Sequence, residues 1–245
     1  MSEKKGAVQC SFLNIFHKTF RVKDKNVRLT KIVIPKIQRD YAQGRDSDDV
    51  ARVRNRFLTA LKDAVTNAPT TLDFVYGDVD SRGVMTPLDG QQRLTTLFLL
   101  HWYAAKKENI PEEKWGNLRA FTYETRSSAT RFCERLMEFT PTFDKGISGQ
   151  LGDQSWFPLN WHKDPTISAM LVMLDAIDNR FKDVTDIWSR LENNAITFYF
   201  LPIKDMGLTD ELYIKMNSRG KPLTLFEHFK AELEREIRTL DEKNG

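Results

Sequence analysis

The chain of 245 residues holds two cysteines, Cys10 and Cys133, and no CxxC pair. That excludes a disulfide framework and a zinc site of common Cys spacing. Its four histidines, His17, His101, His162 and His228, are scattered, so no His-based metal cluster is expected. No apolar run reaches the ~18 residues of a transmembrane helix, and MSEKKGAVQC lacks the apolar centre of a signal peptide. A reducing, cytoplasmic setting is expected, with no membrane partner. There is no GxxxxGK[ST] and no GxGxxG, so the common phosphate-loop fingerprints are missing. Repeats and low-complexity blocks are also missing. The net charge is only +3, with 40% hydrophobic and 29% charged residues. Such a composition supports a sizeable core and permits nucleic-acid contact without arguing for it.

The hydrophobic pattern gives a mixed reading. Ser11–Phe20 carries apolar residues at 12, 13, 15, 16 and 20 and is compatible with a short helix. Val27, Leu29 and Ile32–Ile34 suggest a strand ended by Pro35. Asp48–Asn67 reads as a helix, with Val50, Val53, Phe57, Leu58, Leu61 and Val65 at helical spacing. LDFVYGDV and VMTPL flank the turn DSRG and read as a hairpin. Leu94–Ala105 reads as a strongly apolar helix. From Lys106 onward short elements and loops are expected, then amphipathic helices over Ile167–Phe181 and Val184–Glu192. AITFYFLPI reads as a strand ended by Pro202, followed by helices over DELYIKMNSRG and TLFEHFKAELEREIRTL.

Three polar clusters interrupt this apolar pattern. In the first, Gln38, Arg39 and Tyr41 follow a strand end and offer an amide, a guanidinium and a phenol; a solvated loop explains them equally well. The second is Asp89-Gly90-Gln91-Gln92-Arg93. Asp89 can cap the helix by accepting from the amide of Gln91 or Gln92, and Gly90 permits a tight turn and close ligand approach. The first helical turn offers unpaired N–H groups and the positive dipole end, to which Arg93 adds a grip on phosphate. The plain alternative is a capped helix with Arg93 in a buried salt bridge. In the third, Asn217-Ser218-Arg219-Gly220-Lys221-Pro222, helix punctuation explains Gly220 and Pro222 better than Asn217 and Arg219. Together the clusters carry three arginines, several amides and few carboxylates, which suits a phosphate anion. They do not suit a glycosidase pair or a Ser-His-Asp triad.

PKIQRDY, PLDGQQRLTTLFLL and KMNSRGKPLTLFEHFKAELE resemble the N-terminal domain of GmrSD-type, modification-dependent restriction proteins, in the family's order and across residues 35–233. The resemblance implies an α+β fold: a ParB/sulfiredoxin-like mixed-sheet core and a mostly helical C-terminal part. The chain would divide into an N-terminal extension (1–24), the core (25–105) and a mainly helical subdomain completing the site (106–245). It also implies a nucleotide site of Gln38, Arg39, Tyr41, Gly90, Gln91, Gln92, Arg93, Asn217, Arg219 and Gly220. ATP, GTP or CTP with Mg²⁺ would bind there. Asp89, Arg93 and Arg39 would serve hydrolysis. Asp89 would hold the metal, with Asp40 or Asp78 behind it. The setting implied is phage defence, with modified or foreign DNA and an HNH-type nuclease domain or subunit as partners; a homo-oligomer stays open. The chain departs from the family at Gln43, where a tryptophan is frequent, and lacks the sulfiredoxin cysteine, which disfavours cysteine redox chemistry. It shows no His-Asn-His set, so nuclease activity is not expected from it alone. The competing readings are a DNA-sensing module, using Arg45, Arg52, Arg54 and Arg56, and a scaffold that docks a nuclease. The mixed signs around those arginines favour a solvated helix face over a DNA contact.

Overall fold

The computed structural model describes residues 7–35, 48–124 and 127–202. It is a mixed α+β structure built on a six-stranded sheet. β1 (Val8–Cys10) leads through a 3-10 turn at Asn14–His17 into a hairpin of β2 (Thr19–Val22) and β3 (Lys25–Arg28). β4 (Lys31–Ile34), α1 (Asp48–Thr66), β5 (Thr70–Val79), β6 (Val84–Asp89) and α2 (Gln91–Lys107) follow. Then come α3 (Glu112–Trp115), β7 (Phe121–Tyr123), α4 (Ser127–Glu138), α5 (Ile147–Gly152), α6 (Pro165–Phe181), α7 (Ile187–Glu192) and β8 (Ile196–Pro202).

The sheet order is β1-β8-β5-β6-β4-β7. β5 and β6 form the expected antiparallel hairpin, whereas β4 runs parallel to both β6 and β7, and β5 parallel to β8. The sheet draws β1 from the first twenty-four residues and β7 and β8 from beyond residue 106. Ser11–Phe20 differs from its helical reading. Phe12, Ile15, Phe16 and Phe20 are all buried, but the chain makes a 3-10 turn and enters β2. Two short apolar clusters around a turn satisfy the same spacing as one helix face. The strand expected from Val27 to Ile34 is two strands, β3 and β4. Between them Thr30 donates its backbone N–H to the carbonyl of Gly83 in the β5–β6 turn. The helices over DELYIKMNSRG and TLFEHFKAELEREIRTL lie outside the described residues.

α2 is the centre of the core. Every residue from Leu94 to Ala105 is buried, so no face of this stretch is left to solvent. Phe98 stacks on Phe121 of β7 with centroids 4.6 Å apart, and the Thr95 hydroxyl lies 2.9 Å from that of Tyr123. The C-terminal half is fixed by polar ties. Trp102 Nε1 donates to the carbonyl of Leu136 at 2.8 Å, and Tyr103 donates to Asp178 at 3.0 Å. Lys107 Nζ donates to the carbonyls of Phe181, Lys182 and Val184, at and just beyond the end of α6, where a cation is favoured. Glu108 accepts from the amides of Ile187 and Trp188, satisfying the start of α7. α6 starts on Asp164, whose carboxylate accepts from Thr166 and Ile167 with Pro165 in the first helical position.

His101 is buried within this core, its Nδ1 2.7 Å from the Leu97 carbonyl and its ring beside Phe12 and Trp188. The carbonyl can only accept, so Nδ1 carries the proton of a neutral ring. Burial lowers its pKa from 6.5 to about 4, the Leu97 bond opposing it. Between these values the unfolded chain binds the proton and the folded chain does not, so stability falls as pH drops from 6.5 towards 4. The loss is on the order of 3 kcal/mol. Urea denaturation across that range should show this slope, and His101→Leu should flatten it; an unchanged slope contradicts the assignment.

Candidate functional site

The second polar cluster lies where β6 ends and α2 begins. Gly90 precedes the helix with φ +86°, a conformation that side-chain-bearing residues reach only with strain. A Cβ placed there would lie 2.8 Å from Val75 Cγ2 and 3.2 Å from Val75 Cα. The close approach that Gly90 permits is therefore taken by β5, not by open space for a ligand. Strand and helix start are pressed together because one of them has no side chain.

The neighbouring polar residues bind the helix start to the sheet. Asp89 Oδ1 accepts from the amide of Gly90 at 2.8 Å, one residue earlier than the expected bond to Gln91 or Gln92. Gln91 Nε2 donates to the carbonyl of Pro87 at 2.9 Å, so this half-buried amide is satisfied by the preceding strand. Thr95 and Thr96 donate their hydroxyls to the carbonyls of Gln91 and Gln92.

Arg93 donates from one terminal nitrogen to the carbonyl of Phe74 at 2.6 Å. Phe74 sits in an interruption of the β5–β8 ladder, between the paired residues Leu72 and Val75. A bulge leaves backbone groups outside the ladder, and Arg93 fills this one. Arg93 makes no ion pair among the described residues, so the buried salt bridge considered from sequence is replaced by a bond to backbone. That bond uses one of the guanidinium's five N–H donors and fixes its plane. Arg93 is half-buried at the first turn of α2, where the helix dipole and the guanidinium both favour an anion.

Of the sequence-derived site, Asp89, Gly90, Gln91, Gln92 and Arg93 form this one junction. Gln38, Arg39, Asp40 and Tyr41, and Asn217, Arg219 and Gly220, lie outside the described residues. Asp78 is buried on β5, paired across the ladder with Thr86, and Tyr76 two residues earlier pairs with Asp89. Among the described residues no group of three or more His, Cys, Asp or Glu could hold a metal. Asp89 offers one carboxylate, and a Mg²⁺ that arrives on a triphosphate needs only one or two from the protein. Cys10 and Cys133 are buried and free, with burial pushing the Cys10 thiol up to about 12 and the Cys133 thiol higher still. Neither is a nucleophile near neutral pH.

The arginines of α1 divide. Arg54 is buried, whereas Arg52 is exposed and lies 3.8 Å from Asp49. Val53, read as part of the apolar stripe, is 58% exposed, and Arg54 takes the inward position. The sequence reading missed this. The signal was its spacing: Arg54 stands four residues before Leu58, which with Leu61 and Val65 is buried.

Gly90→Ala combines a strained backbone with a clash against Val75. It should destabilise the fold by roughly 2–4 kcal/mol, seen as a Tm lower by several degrees. Val75→Ala in the same chain should recover the packing part of that loss and leave the backbone part; equal Tm for Gly90→Ala and wild type contradicts the geometry.

No described helix is long and apolar enough to cross a membrane. No curated protein matches the chain. A family model described as the GmrSD restriction endonuclease, N-terminal domain, matches residues 17–234, which include all three polar clusters. The family associates such a domain with a nuclease domain in a restriction system. The chain belongs to the GmrSD restriction endonuclease N-terminal domain family.

Proposed function

We propose that this domain binds a nucleoside triphosphate at the start of α2 and hydrolyses it as part of the restriction system. The observation that carries the reading is the junction itself. A glycine-opened helix start is fastened to β5 and β6, and an arginine is held in its first turn by the Phe74 carbonyl. Such a group costs little reorganisation when an anion arrives, which is the property that electrostatic catalysis uses. In this reading the first-turn amides and Arg93 bind the phosphates. Gln91 acts as a brace through Pro87 and contributes no direct contact.

Arg39 and Arg219 come from the other two clusters and balance the charge that develops as the terminal phosphoryl group passes to water. The resemblance to the family would add Gln38, Tyr41, Asn217 and Gly220 to the nucleotide site; all four lie outside the described residues. Asp89 would hold Mg²⁺ together with the phosphate oxygens; the chemistry a bound Mg²⁺ supplies is charge neutralisation. The ParB/sulfiredoxin-like core, the choice among ATP, GTP and CTP, and a role in phage defence acting on modified or foreign DNA belong to the same reading. The cutting is left to the nuclease partner.

Calorimetric titration with ATP, GTP and CTP in Mg²⁺, paired with a phosphate-release assay, tests it. One nucleotide should bind, and Arg93→Gln should weaken that binding by at least about tenfold, the loss of one charge-assisted contact. No binding of any nucleotide to folded protein, or equal binding by the variant, overturns the proposal.

A further inference from the structure

A polar cavity lies between α1 and α6, apart from the start of α2. It has a volume of about 470 Å³ and is lined from α1 by Arg54, Asn55 and Lys62, and from α6 by Asp175, Asn179 and Arg180. The volume falls in the range of small-molecule sites. Helical spacing explains the composition. Residues 54, 58 and 62 share one face of α1, with Leu58 buried between the two cations. On α6, Val172, Asp175, Ala176, Asn179 and Arg180 recur every three to four residues and line the opposite wall.

Lys62 and Arg180 leave this cavity with an excess of positive charge. Asp175, the one carboxylate of its lining, is already engaged: it accepts from the Ser148 amide at 2.9 Å and from the Ser148 hydroxyl. Lys62 and Arg180 make no ion pair among the described residues. Arg54 is buried and forms part of the α1 wall of the cavity. A buried arginine, two further cations and two carboxamides around one cavity form a phosphate-binding chemistry.

We infer that the α1–α6 cavity is a second anion site that takes a phosphate-bearing ligand of at least two negative charges, with Arg54, Lys62 and Arg180 as its cationic contacts. The site shares no residue with the α2 junction. It also gives Arg54, which is buried rather than solvated, a place in the cavity shared by α1 and α6.

The test uses the full chain carrying Arg93→Gln, which weakens the proposed α2 site, titrated with inorganic pyrophosphate at low salt. One equivalent should bind. Adding Lys62→Gln and Arg180→Gln, both at partly exposed positions that spare the core, should weaken it by about tenfold or more; Arg54→Gln should do the same where it folds. No pyrophosphate binding in the Arg93→Gln chain, or binding that the Lys62–Arg180 pair leaves unchanged, overturns the inference. A 20-base-pair duplex separates the sources of phosphate. Competition with pyrophosphate assigns the cavity to nucleic-acid phosphodiesters, and its lack assigns a free phosphorylated molecule. Nucleotide binding that survives Arg93→Gln and is lost with the Lys62–Arg180 pair supports this site and overturns the α2 reading.

Discussion

The contact between Gly90 and Val75 is the constraint on which the site rests. A helix can begin directly at the end of β6 and still press against β5 only because position 90 has no side chain and tolerates φ +86°. Everything polar at the junction follows from that closeness. Asp89 reaches the Gly90 amide, Gln91 reaches back to Pro87, and Arg93 reaches across to Phe74. Each bond ties the first turn of α2 to a different point on the sheet, so the turn has little freedom of its own.

The other end of α2 is held as firmly by different means. Lys106 and Lys107 donate to carbonyls at the ends of α4 and α6, and Glu108 closes the start of α7. Between the two ends twelve consecutive residues are buried. A helix so enclosed acts as a fixed post, and its partly exposed groups are confined to its two ends. Precision of this kind suits a binding site better than a flexible loop does.

Much of this was legible in the sequence. The β5–β6 hairpin follows from two apolar stretches around DSRG, and α2 from a long apolar run behind a glycine. The Gln-Gln-Arg triplet was recognisable as unusual at the mouth of such a run. Its partners were not, because they are backbone carbonyls. Pro87 and Phe74 carry no sequence signature of acceptance, and the β5 bulge that opens Phe74 arises from pairing with β8, more than a hundred residues away. Ser11–Phe20 was misread because a 3-10 turn between two buried clusters mimics helical spacing. β7, with three residues, is too short for any period to declare itself. Arg54 was misread because α1 carries charge of both signs, which looks like a solvated face until the inward position is counted from Leu58.

The central claim is that the fixed start of α2 holds phosphate. A crystal structure of the protein soaked with a non-hydrolysable nucleoside triphosphate and Mg²⁺ tests it most directly. The account predicts phosphate oxygens within hydrogen-bond distance of the Arg93 guanidinium and the first-turn amides of α2, with the Arg93–Phe74 and Gln91–Pro87 bonds intact. Nucleotide bound elsewhere at full occupancy, with the α2 start empty, would contradict it.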